Sequence, residues 1–168
     1  PRQRGIIRHH QRRVLTLAGR DFLDGDSRPW EHRCGFLGRL LDYLDTFNAR
    51  DVDLLRGLFA DADHVIAGAA MIGGITYFHT YAYDLLATNE RSIASTCDAA
   101  IEAHAAGRLE KVTYLSSSMV FESTDRWPSA EGDELIVPPP HSSYGFQKLA
   151  VEYFARAAWD QHGVPYTI

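Results

Sequence analysis

Short apolar runs and longer helical spacings alternate along this chain. The short runs are Arg13-Val14-Leu15-Thr16-Leu17-Ala18, then Asp63-His64-Val65-Ile66-Ala67-Gly68-Ala69-Ala70, then residues 111–115, and finally Val164-Pro165-Tyr166-Thr167-Ile168. Apolar runs of this length, bounded by polar residues, predict strands of a parallel sheet, the second of them buried on both faces. Between the second and third runs, Leu85, Leu86, Ile93, Ala100 and Ile101 recur at helical spacing and predict a helix from 83 to about 106 with one buried stripe, which Gly107 ends. A last helix begins near Tyr144, where Ser142 or Ser143 can cap it, and runs past Glu152, Phe154 and Trp159 to Gly163. Strand and helix in this alternation predict an α/β fold, a doubly wound parallel sheet of Rossmann-like type. The segment 122–143 is polar and proline-rich, with Trp127-Pro128 and Pro138-Pro139-Pro140. It predicts a loop that covers a cleft, or a surface connection.

Composition narrows the class. At 168 residues with 45% hydrophobic positions, the chain can bury one real core, and nothing in it predicts disorder. No apolar run approaches the roughly 20 residues a membrane helix needs. The arginine-rich start lacks the hydrophobic segment of a secretion signal, so a cytoplasmic protein without a membrane span is expected. Arg2, Arg4, Arg8, Arg12, Arg13 and Arg20 precede any acid, but at a formal charge of −5 this arm reads as a solvated terminus rather than a nucleic-acid contact. Cys34 and Cys97 have no partner pattern and predict buried free thiols. The eight histidines include no pair at helical metal-ligand spacing, so no metal site is expected.

The chemistry concentrates where the third strand breaks into Leu115-Ser116-Ser117-Ser118-Met119-Val120 and where the last helix opens with Tyr144-Gly145-Phe146-Gln147-Lys148. Tyr144 and Lys148 stand at i, i+4 and share a helix face. A cation close to a phenol favours the phenolate, which makes such a tyrosine competent to exchange protons near neutral pH. A serine from the strand end can hold the substrate oxygen whose proton moves.

A strand ending in a serine run, followed by Tyr-Gly-x-x-Lys-Leu-x-x-Glu ending at Glu152, resembles the extended short-chain dehydrogenase/reductase family of nucleotide-sugar epimerases and dehydratases. The resemblance implies NAD or NADP as cofactor, NAD being preferred, a nucleotide-diphosphate sugar as substrate, and a homodimer built on the helix before Ser117 and the helix carrying Tyr144. Ser117, three positions before Val120, takes the family's catalytic serine position, with Tyr144 and Lys148 completing the catalytic set. Ser118 is a further candidate for holding the sugar hydroxyl. Cofactor contacts are implied at Asn48, Ala49 and Asp51 near the adenine, Gly68, Ala69 and Ala70 at the ribose and pyrophosphate, Ser116, and Tyr144 and Lys148 at the nicotinamide. An alternative register places Asp51-Val52 at the adenine. Asn89 takes the place of the family's helix asparagine, which braces the active-site strand and, through water, the lysine.

Ala69-Ala70-Met71-Ile72-Gly73-Gly74-Ile75 is similar to the GDP-sugar epimerase and GDP-fucose synthase branch, where Gly73 and Gly74 would border the sugar with Ser117, Ser118, Met119 and Tyr144. Met119 stands where other branches carry an acid or a cysteine. A thioether neither donates nor takes a proton, so hydride transfer at a single sugar carbon is the chemistry these residues fit.

The beginning of the chain departs from the family. Its glycine-rich phosphate loop should open the first helix. One register gives Ala18-Gly19-Arg20-Asp21-Phe22-Leu23-Asp24, with aspartates at two glycine positions. Another gives His32-Arg33-Cys34-Gly35-Phe36-Leu37-Gly38, with no strand before it. The stretch from Gly19 to Tyr43 is also too short, by roughly 20 residues, for the family's usual elements. Residues 1–168 therefore read as one NAD(P)-binding domain with an atypical or degenerate start over 1–44. The sequence stops where the resemblance would continue into a smaller substrate-binding domain, so the domain reads as truncated. The rival expectation is a non-catalytic Rossmann-like module that has lost cofactor affinity.

Overall fold

The computed structural model of the chain describes residues 14–18, 52–72 and 75–168. Four strands, β1 (Val14–Ala18), β2 (His64–Gly68), β3 (Lys111–Tyr114) and β4 (Tyr166–Thr167), pair in parallel in chain order. The register sets Leu15 against Val65, Val65 against Val112, and Val112 against Tyr166. Parallel neighbours need a crossover, and helices supply it. Among the described residues α1 (Val52–Phe59) precedes β2, α2 (Ile75–Thr80) and α3 (Ala82–Ala105) join β2 to β3, and α4 (Ser143–His162) joins β3 to β4. The predicted α/β parallel sheet is present.

Helix α3 packs between α1 and α4, so these three form one layer over the sheet. Leu55 and Phe59 of α1, Val65 of β2, Ile93 and Ala100 of α3, Val112 and Tyr114 of β3, and Val151 and Ala155 of α4 make the core beneath it. Burying a side chain such as Leu55 or Phe59 completely contributes about 2 kcal/mol each. Residues that alternate with these, such as Ile66 and Thr113, are only half-buried. The prediction that β2 is buried on both faces is therefore corrected: the layer of α1, α3 and α4 seals the face that carries Val65, while Ile66 and Gly68 remain partly accessible.

Both long helices end at glycines, for a reason the backbone makes plain. Gly107 has φ +75° and donates to the His104 carbonyl at 2.8 Å, while Arg108 donates to Ala103 at 3.1 Å. Gly163 has φ +73° and donates to Trp159 at 2.8 Å. A left-handed residue there satisfies carbonyls the helix leaves unpaired, and only glycine adopts it without cost. Cys97 is buried as expected, 3.4 Å from the Tyr114 hydroxyl, and burial pushes its thiol up to about 11 and the Tyr114 phenol up as well. Cys34 lies outside the described residues. Among the described residues no helix is long and apolar enough to cross a membrane.

Candidate active site

The start of α4 is fixed by its cap. Of the two serines that could serve, Ser142 does so, its Oγ accepting from the Gly145 N–H at 3.0 Å. The same hydroxyl donates to Glu122 Oε2 at 2.7 Å, and the Ser142 N–H donates to that oxygen at 3.1 Å. Glu122 closes the 3-10 turn Ser118–Phe121 that follows β3. Ser117 caps the turn, its Oγ accepting from Met119 N–H at 3.2 Å. The first turn of α4 thus abuts the turn that Ser117 opens: a Cβ at Gly145 would lie 2.8 Å from the Met119 carbonyl oxygen.

Tyr144, Lys148 and Glu152 fall on successive turns of α4, and the sheet end determines what each meets. Lys148 is 6% exposed, its Nζ donates to the Leu115 carbonyl at 2.7 Å, and it stands 5.9 Å from the centre of the Tyr144 ring. Burial lowers the Lys148 pKa, because desolvation disfavours the ammonium. Ser116 Oγ donates to Glu152 Oε1 at 2.5 Å. Glu152 is 7% exposed, and its carboxyl is raised above the ordinary range, chiefly by burial.

Asn89 is buried and pairs with the backbone of one residue twice over. Its Oδ1 accepts from Met71 N–H at 2.6 Å and its Nδ2 donates to the Met71 carbonyl at 2.9 Å. The asparagine therefore braces the loop after β2, where a brace on the active-site strand was expected. Asn89, Thr96, Gln147 and Lys148 also line a cavity of about 20 Å³, closed further by Ala67 and Val151. That volume holds one water and no ring. Gln147 Oε1 is buried there without a hydrogen-bond partner among the described residues.

The carboxyl end of β2 is small, as expected: Gly68 and Ala69 are half-buried and Ala70 is buried. Ser118 is exposed and Met119 half-buried beside it. The remaining candidates, Asn48, Ala49, Asp51, Gly73 and Gly74, lie outside the described residues, as do both phosphate-loop registers from Gly19 onward. The cover segment is tied down at several points. Ser123 Oγ donates to the Pro139 carbonyl at 2.9 Å, and Arg156 of α4 stands 3.2 Å from Glu134 in a second 3-10 turn, Asp133–Leu135. Sequence reasoning gave no role to Glu122, Gln147 or Glu152. For Glu152 a signal existed, since it continues the i, i+4 row of Tyr144 and Lys148.

A parallel α/β sheet with a serine-capped turn after one strand, faced by a helix that carries a tyrosine and a buried lysine, has the architecture of the nucleotide-binding oxidoreductase folds. The family model for the NAD dependent epimerase/dehydratase family matches residues 4–168, and the chain belongs to that family. None of the curated proteins compared with the sequence matches it. Among solved structures, "DdhaC" superposes with a TM-score of 0.73 at 18% identity, over 94% of this chain and 46% of its own. A GDP-L-fucose synthetase from Naegleria fowleri, bound to NADP, gives 0.70 at 17% identity, over 94% of this chain and 49% of its own. A UDP-N-acetylglucosamine 4-epimerase from Methanobrevibacter ruminantium gives 0.67 at 18% identity, over 93% and 53%. These similarities establish the Rossmann-like fold, and the chain spans about half the length of each.

The residues present fit a nicotinamide cofactor. Small residues at the end of β2 permit close approach to the backbone, and ligands of such sheets lie at the carboxyl ends of the strands. Lys148 brings three N–H donors to that end, of which the Leu115 bond uses one.

Proposed function

We propose that the chain is the catalytic, cofactor-binding part of an NAD(P)-dependent nucleotide-sugar epimerase/dehydratase-like oxidoreductase. The observation that carries this reading is the buried Lys148, held at the end of β3 behind the Tyr144 ring, with Ser117 two residues beyond the carbonyl it binds. Tyr144 takes a proton from a hydroxyl of the sugar ring and returns it when the carbonyl is reduced. Ser117 holds that oxygen in line with the phenol, and Lys148 orients Tyr144 and holds the ribose hydroxyls of the cofactor. The nicotinamide, when bound, supplies the hydride acceptor and donor at the same sugar carbon. Met119 beside Ser117 gives no second acid or base, which favours chemistry at one carbon.

The substrate class is a nucleotide-diphosphate sugar, and NAD is the first cofactor to test, with NADP the second. The active unit is a homodimer formed through α3 and α4; Phe146 and Tyr153, exposed and seven residues apart on α4, support that face. Titration with NAD and then NADP, followed by thermal shift, tests the reading. Saturable micromolar binding of either supports it. Absence of binding by both supports the non-catalytic module, for which Asp21 and Asp24 in the first phosphate-loop register argue.

A further inference from the structure

The end of β3 is tied to α4 at two consecutive residues. Lys148 binds the carbonyl of Leu115 at 2.7 Å, and one helical turn further on Glu152 accepts the hydroxyl of Ser116 at 2.5 Å. One such bond would leave the strand end free to pivot about it. Two, drawn from successive turns of a rigid helix, fix its direction as well as its position. The next residue is Ser117, which caps the turn on which Gly145 rests.

A carboxyl buried at this point is costly unless hydrogen bonds or a paired charge offset its lost hydration. Glu152 is 7% exposed, and burial raises its pKa, so the fold carries a desolvation cost at the residue that holds Ser116. Two other charged groups bear on it: Glu134 from the cover segment raises its pKa, and Arg156, one turn along α4, lowers it. Arg156 also pairs with Glu134 at 3.2 Å. The cover segment, the helix and the strand end are therefore linked through one cluster.

We propose that Glu152 is a positioning residue of this site: by holding the Ser116 hydroxyl it sets where Ser117 stands relative to Tyr144. This assignment deepens the oxidoreductase reading and rests on it. Glu152 does not meet the sugar or the cofactor; it acts through Ser116.

The test compares Glu152→Ala with Glu152→Gln, whose amide oxygen still accepts the serine proton. In hydrogen exchange of the segment 111–121, the alanine variant loses protection at residues 115–119 by about tenfold or more, and the glutamine variant stays within about threefold of the parent. NAD affinity, to which Ser116 is itself a candidate contact, falls by less than kcat does in the alanine variant and stays within about twofold in the glutamine variant. In the full-length protein, with UDP-glucose and GDP-fucose as probes, the alanine variant loses about 10²-fold in kcat with KM little changed. The glutamine variant recovers most of that loss.

Unchanged exchange at residues 115–119 in Glu152→Ala overturns the tether, and unchanged kcat overturns the positioning role. Should the alanine variant not fold, Ser116→Ala removes the same bond from the strand side and must give the same loss of protection. If the parent protein neither binds NAD or NADP nor turns over a probe, the oxidoreductase reading fails, while the exchange measurement still decides the tether.

Discussion

Gly145 is the position where adding one methyl group tests the geometry of the site most sharply. A Cβ there would lie 2.7 Å from Pro140 Cβ, 2.8 Å from the Met119 carbonyl oxygen and 2.9 Å from Glu122 Oε2. Non-bonded carbons rest at about 3.5–4.0 Å, so Pro140 and the helix start must separate by close to 1 Å, and the Met119 oxygen of the 3-10 turn must give way by a smaller amount. Overpacking of this kind costs about 1–3 kcal/mol. Against it stands the gain of alanine over glycine in a helix, about 1 kcal/mol in an interior position. The balance predicts a net loss of about 0–2 kcal/mol in Gly145→Ala. Gly57, in α1, meets nothing within 4 Å and serves as the control. Gly57→Ala receives the propensity gain without the clash and stabilises by about 0.5–1 kcal/mol. The larger effect falls on chemistry. Movement of the turn against α4 shifts Ser117 relative to Tyr144, and since a displacement near 1 Å costs about 10²-fold in rate, this smaller one costs roughly tenfold. Urea unfolding of both variants, paired with turnover, checks the argument. A Gly145→Ala protein as stable as Gly57→Ala and as active as the parent would refute it.

Asn89→Ala removes both hydrogen bonds that its buried amide makes to the Met71 backbone, a loss of about 2 kcal/mol measured by denaturant unfolding. Lys148→Met removes a buried cation. The folded state lowers the Lys148 pKa, so the unfolded chain binds more protons between the folded value and 10.5, and parent stability rises with pH across that window. The methionine variant loses that rise, is at least as stable as the parent at pH 7, and has no turnover. Unfolding curves taken from pH 7 to 11 on both proteins check the sign.

The parallel alternation was legible because it rests on apolar runs and on glycine stops, which are local. Gly107 and Gly163 terminate their helices where the sequence places the stops. The width of the α3 stripe was less legible. Its buried face includes Thr88, Ser92, Thr96, Ala99 and Ala103, small and hydroxyl residues that a hydrophobic periodicity undercounts. Helix α2, at 6 residues, is too short to show a period, and the 3-10 turn after Ser117 depends on a side-chain cap. The Tyr144–Lys148 pairing could be read from spacing alone. The partners of Lys148 and Glu152 could not, since Leu115 and Ser116 reach them only through tertiary packing.

The claim that Tyr144 exchanges the substrate proton is tested most directly by the rate of hydride transfer in Tyr144→Phe, measured on the full-length protein at matched cofactor occupancy. The account predicts NAD or NADP affinity within about threefold of the parent and a rate lower by about 10²–10⁴-fold, the range for losing a general acid or base. Turnover equal to that of the parent would contradict it.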